Sequence, residues 1–275
     1  MTTIDAARTV SVLQYRQSVA VEASRIVPEE VPIAFSYRGS THAVMMATPA
    51  DLEDFAIGFS LAEGIISTLS DVVSVEPIEA GDGIDVQVML KDANVEALTA
   101  RRRQMAGPVG CGLCGIESIE QATRNVPSIG ASSLSLTPHD IHAAIKALGA
   151  AQDLNNKTHA VHGAGFYIPG QGLLAIREDV GRHNALDKLV GAVLQAGRRG
   201  EEGAVVVTSR LSVEMVQKTA ALGCPVLIAI SAPTALAIRA AVSAGMTLIG
   251  IARHQDFEIF TRADRLNTGT SSYVA

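Results

Sequence analysis

The sequence predicts an α/β protein, a C-terminal α/β/α sandwich preceded by a smaller α+β domain. Three observations predict it. Beyond position 130, apolar runs such as Val205-Val206-Val207 and Val226-Leu227-Ile228-Ala229-Ile230 alternate with stretches of helical spacing, and uninterrupted apolar strands suit a sheet covered on both faces. Before position 100, β-rich segments pair across tight turns around a single helix. Between them lies a glycine-rich loop that favours no regular element. A chain of 275 residues with 48% hydrophobic content can bury one large core or two modest ones. Domains are therefore expected at 1–106 and 131–275, with a mobile loop and linker helix at 107–130.

The first region begins with strands at 10–15 and 19–26, followed by a hairpin of 33–37 and 41–46 turning at Arg38-Gly39-Ser40. Thr48-Pro49-Ala50-Asp51 reads as an N-cap, a proline at the first helical position and an acid at N3. Leu52, Phe55, Phe59 and Ala62 follow at helical spacing, and a second hairpin is expected from 72–78 and 84–90 across Gly81-Asp82-Gly83. A short helix is expected at 116–124. Another capping box, Thr137-Pro138-His139-Asp140, opens a helix to about 148. Strands 159–168 and 173–177 then flank Pro169-Gly170-Gln171-Gly172. Helices are expected at 181–197, 212–222 and 233–244, between strands at 204–208, 225–231, 247–252 and 257–261. The stretch 266–275 is polar and uncapped, as a loose tail would be.

Charge and cysteine usage narrow the function classes. The net charge is -6 and the pI about 5.6, so no overall basic field draws nucleic acid or anionic lipid. The N-terminus lacks a basic-then-apolar leader, and no apolar run reaches spanning length. Three cysteines, two of them in one loop, are too few and too clustered for a disulfide framework. A reducing, cytoplasmic setting is the expectation.

The segment Pro108-Val109-Gly110-Cys111-Gly112-Leu113-Cys114-Gly115 brackets both thiols with glycine, which lets a large partner approach sulfur. A reactive thiol must be partly ionised, against a free-cysteine pKa of about 8.5. Arg101, Arg102 and Arg103 upstream and the amides of the 116–124 helix downstream could lower it. Two cysteines at this spacing serve as half a zinc site, a redox pair or a sulfur carrier. Zinc needs two more ligands, for which Cys224, His139 and His142 are the candidates. A thioredoxin-like pair sits in a βαβ unit rather than between domains. Cys224, between Gly223 and Pro225 before an apolar strand, reads as buried and inert.

Four further segments carry candidate ligand contacts. The run from Glu178 to Lys188 crowds ionisable groups where a strand hands over to a helix, and Asp179, Arg182, His183 and Asn184 are expected at the sheet edge where α/β folds bind ligands. Thr208-Ser209-Arg210 and Ser231-Ala232-Pro233-Thr234 each join an apolar strand to a helix. Hydroxyls, an arginine and free helix-start amides suit phosphate, with Ser209 and Arg210 foremost. In Phe257-Glu258-Ile259-Phe260-Thr261-Arg262 two rings three apart fall on opposite strand faces, so one at most lines any surface. That one could stack on a base while Arg262 meets phosphate.

These blocks, in this order together with Glu214-Met215-Val216-Gln217-Lys218, resemble the formate dehydrogenase accessory sulfurtransferase (FdhD/NarQ) family from about residue 20 to residue 265. The resemblance implies a cytidine-deaminase-like C-terminal sandwich and a sulfurtransferase with a persulfide intermediate. A cysteine desulfurase would pass sulfur to Cys111, with Cys114 assisting the transfer or resolving a mixed disulfide. The sulfur would go to the molybdenum of bis(molybdopterin guanine dinucleotide) for formate dehydrogenase. The family's guanine-dinucleotide contacts carry over to Phe257, Glu258, Ile259, Phe260, Thr261 and Arg262, with Phe260 where relatives often have Tyr. A GDP-like guanine nucleotide would bind the same pocket, and a homodimer is implied. The readings outside this one are a cofactor-insertion chaperone without sulfur transfer and a thiol-disulfide oxidoreductase. Deamination is excluded: the Cys-x-x-Cys pair comes before the His159 segment, no proline directly precedes Cys111, and His159-Ala160-Val161 has Val at the position of the proton-shuttling Glu.

Overall fold

The computed structural model describes residues 4–92, 126–253 and 256–268. Cys111, Cys114, the helix expected at 116–124 and most of the expected tail lie outside the described residues.

Six strands form from the β-rich N-terminal segments: β1 (Ala7–Arg16), β2 (Val19–Pro28), β3 (Val31–Tyr37), β4 (Ser40–Ala47), β5 (Val72–Ala80) and β6 (Gly83–Leu90). β1 and β2 make a separate antiparallel hairpin, and β4-β3-β6-β5 make a four-stranded sheet in which β3 and β6 run parallel. Alternation sends Ile33, Phe35 and Tyr37 of β3 and Ile84, Val86 and Val88 of β6 to one buried face. Helix α1 (Leu52–Ala62) covers that face, with the Phe35 ring 4.9 Å from Phe55 and 4.6 Å from Phe59.

The start of α1 differs from the expected capping box. Its N-cap is Asp51, left-handed at φ 55° and without a side-chain cap bond. Thr48 lies outside the helix, its amide donating to Asp179 Oδ2 at 3.1 Å and its hydroxyl accepting from the Val180 amide at 3.2 Å. A tertiary contact has taken the hydroxyl that a local cap would use. The second box forms as expected. Thr137 Oγ1 accepts from the Asp140 amide, and the Asp140 side chain accepts from the Thr137 amide, at the head of α2 (Pro138–Ala150).

The short α3 (Asp153–Thr158) was absent from the sequence expectation. It lacks apolar periodicity, and the acceptor for its first amides comes from far along the chain. Glu178 accepts from the Leu154 and Asn155 amides at 2.8 Å each.

The C-terminal sheet has the order β12-β11-β10-β9-β7-β8. It comprises β7 (His162–Ile168), β8 (Gly172–Asp179), β9 (Ala204–Val207), β10 (Val226–Ala229), β11 (Thr247–Arg253) and β12 (Asp256–Thr261). β9, β10 and β11 are parallel, while β7, β8 and β12 complete the sheet antiparallel to their neighbours. The crossovers are α4 (Arg182–Gln195), α5 (Val213–Ala221) and α6 (Ala235–Ala244). Val205, Val207, Leu227 and Ala229 pack into one core with α4, α5 and α6; Val206, Ile228 and Ile249 pack into another with Ile141, Ala144 and Leu148 of α2. Helices thus cover both faces, which explains why these strands read as continuous apolar runs. Among the described residues no helix is long and apolar enough to cross a membrane.

The N-terminal sheet shares the first of these cores. α1 and α4 meet backbone to backbone: a Cβ at Gly58 would stand 1.7 Å from the Asp187 carbonyl oxygen, and one at Gly191 2.0 Å from that of Asp54. Glycine at both positions is what the approach requires.

Candidate functional site

The parallel strands β9, β10 and β11 end at one edge of the sheet, where the incoming amides of α5 and α6 and the loops before them collect. His162 opens β7 at this edge and His183 begins α4 there. Thr208 Oγ1 accepts from the Gly163 amide at 3.0 Å and lies 3.4 Å from His162 Nδ1. His183 Nε2 stands 2.9 Å from Glu214 Oε2, and Ser212 Oγ donates to the same carboxylate at 3.0 Å. Arg253 adds a guanidinium, its Nε donating to the Ile230 carbonyl at 3.0 Å. Burial, and then the charge of Arg182, hold the His162 imidazole below its ordinary pKa. Burial also lowers that of His183, although Glu214 opposes it.

Arg182 is the residue that gives the edge its chemical character. Its Nε is shut away from solvent and has no hydrogen-bond acceptor among the described residues. Leaving a buried donor unmet costs about 1–3 kcal/mol, more when the group is charged. An anion at the edge would remove that cost. Ser209 and exposed Arg210 flank the same loop, with Ser209 Oγ donating to the Arg210 carbonyl at 3.0 Å.

The run from Glu178 to Lys188 is divided by the helix it starts. Arg182 and His183 face the edge; Asp179 and Asn184 face inward. Asp179 is fully buried, with Oδ2 held by Lys188 Nζ at 2.7 Å and the Thr48 amide, and Oδ1 by the Gly181 amide at 2.7 Å and Asn184 Nδ2 at 3.0 Å. Asn184 Nδ2 also reaches the Met46 carbonyl at 2.9 Å. One turn further, Lys218 Nζ lies 2.7 and 2.8 Å from the two Asp187 oxygens. Burial pushes the Asp187 carboxyl up to about 6 even against the Lys218 ammonium. Asp54 ties the units on the far side, 2.6 Å from Arg177 Nη2 and 2.5 Å from Gln195 Nε2. Asp179 and Asn184 therefore belong to a closed junction, with both Asp179 oxygens and the Asn184 Nδ2 already engaged.

The block at 257–262 is likewise divided. Phe257 and Phe260 fall on opposite faces, as their spacing requires. Phe257 packs with the α2 core, its ring 5.6 Å from His142, and Phe260 with the other core. Gly250 admits Phe260: a Cβ there would stand 3.1 Å from its ring, from Pro233 and from the Ser231 carbonyl. Exposed Glu258 and half-buried Ile259 pair with Gly250 and Ile249. Thr261 is buried, its Oγ1 donating to the Met246 carbonyl at 2.7 Å and accepting from the Leu248 amide at 2.9 Å. Arg262 forks onto Asp264 at 2.8 and 2.9 Å. Phe257 thus sits with Arg253 at the carboxyl edge, and Arg262 at the opposite end of β12. The expected pairing of one ring with Arg262 around a single ligand is not what this arrangement offers.

Cys224 matches its expectation. It is fully buried, its Sγ lies 3.3 and 3.2 Å from the carbonyls of Gly203 and Val226, and burial pushes its thiol up to about 12. Sequence reading passed over His162, Arg253 and the role of Thr48. The signals for the first two were a histidine opening an apolar strand and an arginine closing one.

The geometry can be set beside known proteins. The model of the FdhD/NarQ family matches residues 28–267. The chain is 67% identical over 251 residues to a protein of Agrobacterium fabrum named Sulfur carrier protein FdhD, covering 91% of this chain and 93% of that one. It is 57% identical over 266 residues to the protein of the same name from Brucella abortus, covering 97% and 99%. A crystal structure from Desulfotalea psychrophila, provisionally described as a formate dehydrogenase accessory protein, superposes with a TM-score of 0.76 at 24% identity. It covers 95% of this chain and 100% of that one, and speaks to the fold.

Proposed function

Because the chain belongs to the FdhD/NarQ family, we propose that it is a sulfur carrier serving formate dehydrogenase, with Cys111 as the sulfur-bearing residue. The observation that carries the assignment to the loop is the state of Cys224. Of the three thiols in the sequence, this one is sealed in the core and held protonated. Thiolate chemistry therefore falls to Cys111 and Cys114. Relatives covering almost the whole chain carry the name of sulfur carrier, which supports the same reading.

In the reaction we propose, the Cys111 thiolate attacks the outer sulfur of a persulfide on a cysteine desulfurase. A new sulfur–sulfur bond forms at Cys111, and the donor cysteine leaves as thiolate. The acceptor is the molybdenum of bis(molybdopterin guanine dinucleotide), bound as substrate. The sulfur–sulfur bond breaks, the metal supplies two electrons to make a sulfido ligand, and Cys111 returns as thiolate. Cys114 stands by to clear a mixed disulfide.

The carboxyl edge would hold the guanine-nucleotide part of the cofactor. Arg182, Arg210 and Ser209 would meet phosphate, His183 would present a neutral ring against Glu214, and Phe257 would offer an aromatic face. A GDP-like nucleotide would enter the same place, with guanine preferred over adenine. The two-sided helix cover of the sheet supports the cytidine-deaminase-like architecture expected of the family.

The test is delivery of active formate dehydrogenase in cells carrying Cys111→Ala. Activity is expected to vanish while GDP binding by the purified variant is unchanged. Normal activity would refute the role of Cys111. Full activity with serine at both loop cysteines would favour a cofactor-insertion chaperone.

A further inference from the structure

We infer that Thr48, a residue of the N-terminal unit, is a positioning residue for the anion-binding edge of the C-terminal sheet; the inference rests on the nucleotide reading of that edge. Thr48 is fully buried and touches the end of β8, the turn after it and α4 with three separate groups. Its amide donates to Asp179 Oδ2 at 3.1 Å, its Oγ1 accepts from the Val180 amide at 3.2 Å, and its carbonyl accepts from Lys188 Nζ at 2.9 Å. Two residues earlier, the Met46 carbonyl accepts from Asn184 Nδ2 at 2.9 Å. Strand β4 and the residue just past it therefore hold the turn at Asp179 and Val180 on one side and at Asn184 on the other.

Arg182 and His183 are the residues between those ties. Arg182 reaches the edge with a shielded Nε that no acceptor among the described residues meets. A long side chain keeps such a donor poised only while the backbone beneath it is fixed. The ties to Thr48 and Met46 fix it from a different unit of the chain, so the edge is completed by residues more than a hundred positions upstream. Lys188 seals the arrangement from below, its Nζ 5.4 Å from the Phe55 ring centroid and 2.7 Å from Asp179.

Thr48→Val keeps the shape of the side chain and removes only the acceptor of the Val180 amide, so its effect can be separated from gross packing. Calorimetric titration of the full-length chain with GDP is the measurement. Thr48→Val is expected to weaken GDP by about tenfold, the order of one hydrogen-bonded charge at the site, and Thr48→Ser to restore the wild-type value within about twofold. Asn184→Ala, which cuts the tie to Met46, is expected to weaken GDP likewise and serves if Thr48→Val does not fold. Val193→Ala, which hollows the buried far end of α4, should lower the melting temperature and leave GDP affinity unchanged.

Wild-type affinity in Thr48→Val and Asn184→Ala would overturn the inference and leave the nucleotide reading standing. So would an equal loss in Val193→Ala, which would make the effect one of general stability. A wild-type protein that binds no GDP would overturn the nucleotide reading itself, and this inference with it.

Discussion

Behind the start of α4, Asp179 meets Lys188 and Asp187 meets Lys218, each pair at 2.7 Å and screened from water. In front of it, the Arg182 Nε is shielded from water yet meets no acceptor among the described residues. One short segment supplies both regions. Burying a pair of charges is no sure gain, because desolvation can outweigh their attraction. What the closed pairs do is fix geometry, tying α4 to Thr48 and to α5. The open edge is the reverse, a guanidinium whose Nε meets no acceptor among the described residues.

The contrast breaks most sharply at Lys188. Lys188→Met leaves the Asp179 carboxylate buried and uncompensated, and should cost about 3–5 kcal/mol in urea unfolding. Arg182→Ala removes a shielded donor that meets no acceptor among the described residues, and should not lower stability; relief of the unmet donor should add about 1–3 kcal/mol. Comparable losses in the two variants would erase the distinction between junction and edge.

A pH series sharpens the comparison within the junction. Burial raises the folded pKa of Asp187 from 3.8 to about 6. Over that window the folded protein holds a proton the unfolded chain has lost, so this group makes stability fall as pH rises from about 4 to about 6. Asp187→Asn should remove that slope from a plot of unfolding free energy against pH. A slope that persists in the variant would assign the effect to another group.

The smallest expected effect compares the two ends of the sheet. Arg182→Ala should weaken GDP by about tenfold, and Arg262→Ala, whose guanidinium already forks onto Asp264, by less than about twofold. The opposite pattern in a calorimetric titration would move the phosphates to the amino-terminal end of the strands.

Much of this was legible in the sequence, and the failures share a cause. The box at Thr137 and Asp140 is local, so its four residues were sufficient to predict it. The sealed state of Cys224 followed from the apolar strand behind it, and the opposite faces of Phe257 and Phe260 from period two. Thr48 was misread as a helix cap because its partner, Val180, is remote in sequence. α3 was missed for the same reason, since Glu178 supplies its cap. Asp179 and Asn184 read as edge residues because they stand where a strand hands over to a helix, the place where α/β folds bind ligands. The helical spacing of Asn184, Asp187 and Lys188 held the missing signal. It puts them on one face, among Ala185 and Leu189 of the core.

The central claim, that sulfur rides on Cys111, is tested most directly by mass spectrometry of the Cys111 peptide after incubating the protein with a cysteine desulfurase and free cysteine. The expected result is a peptide heavier by one sulfur, restored by reductant and absent in Cys111→Ala. An unmodified peptide from a protein whose native mass includes one zinc would contradict it, making the loop a structural metal site.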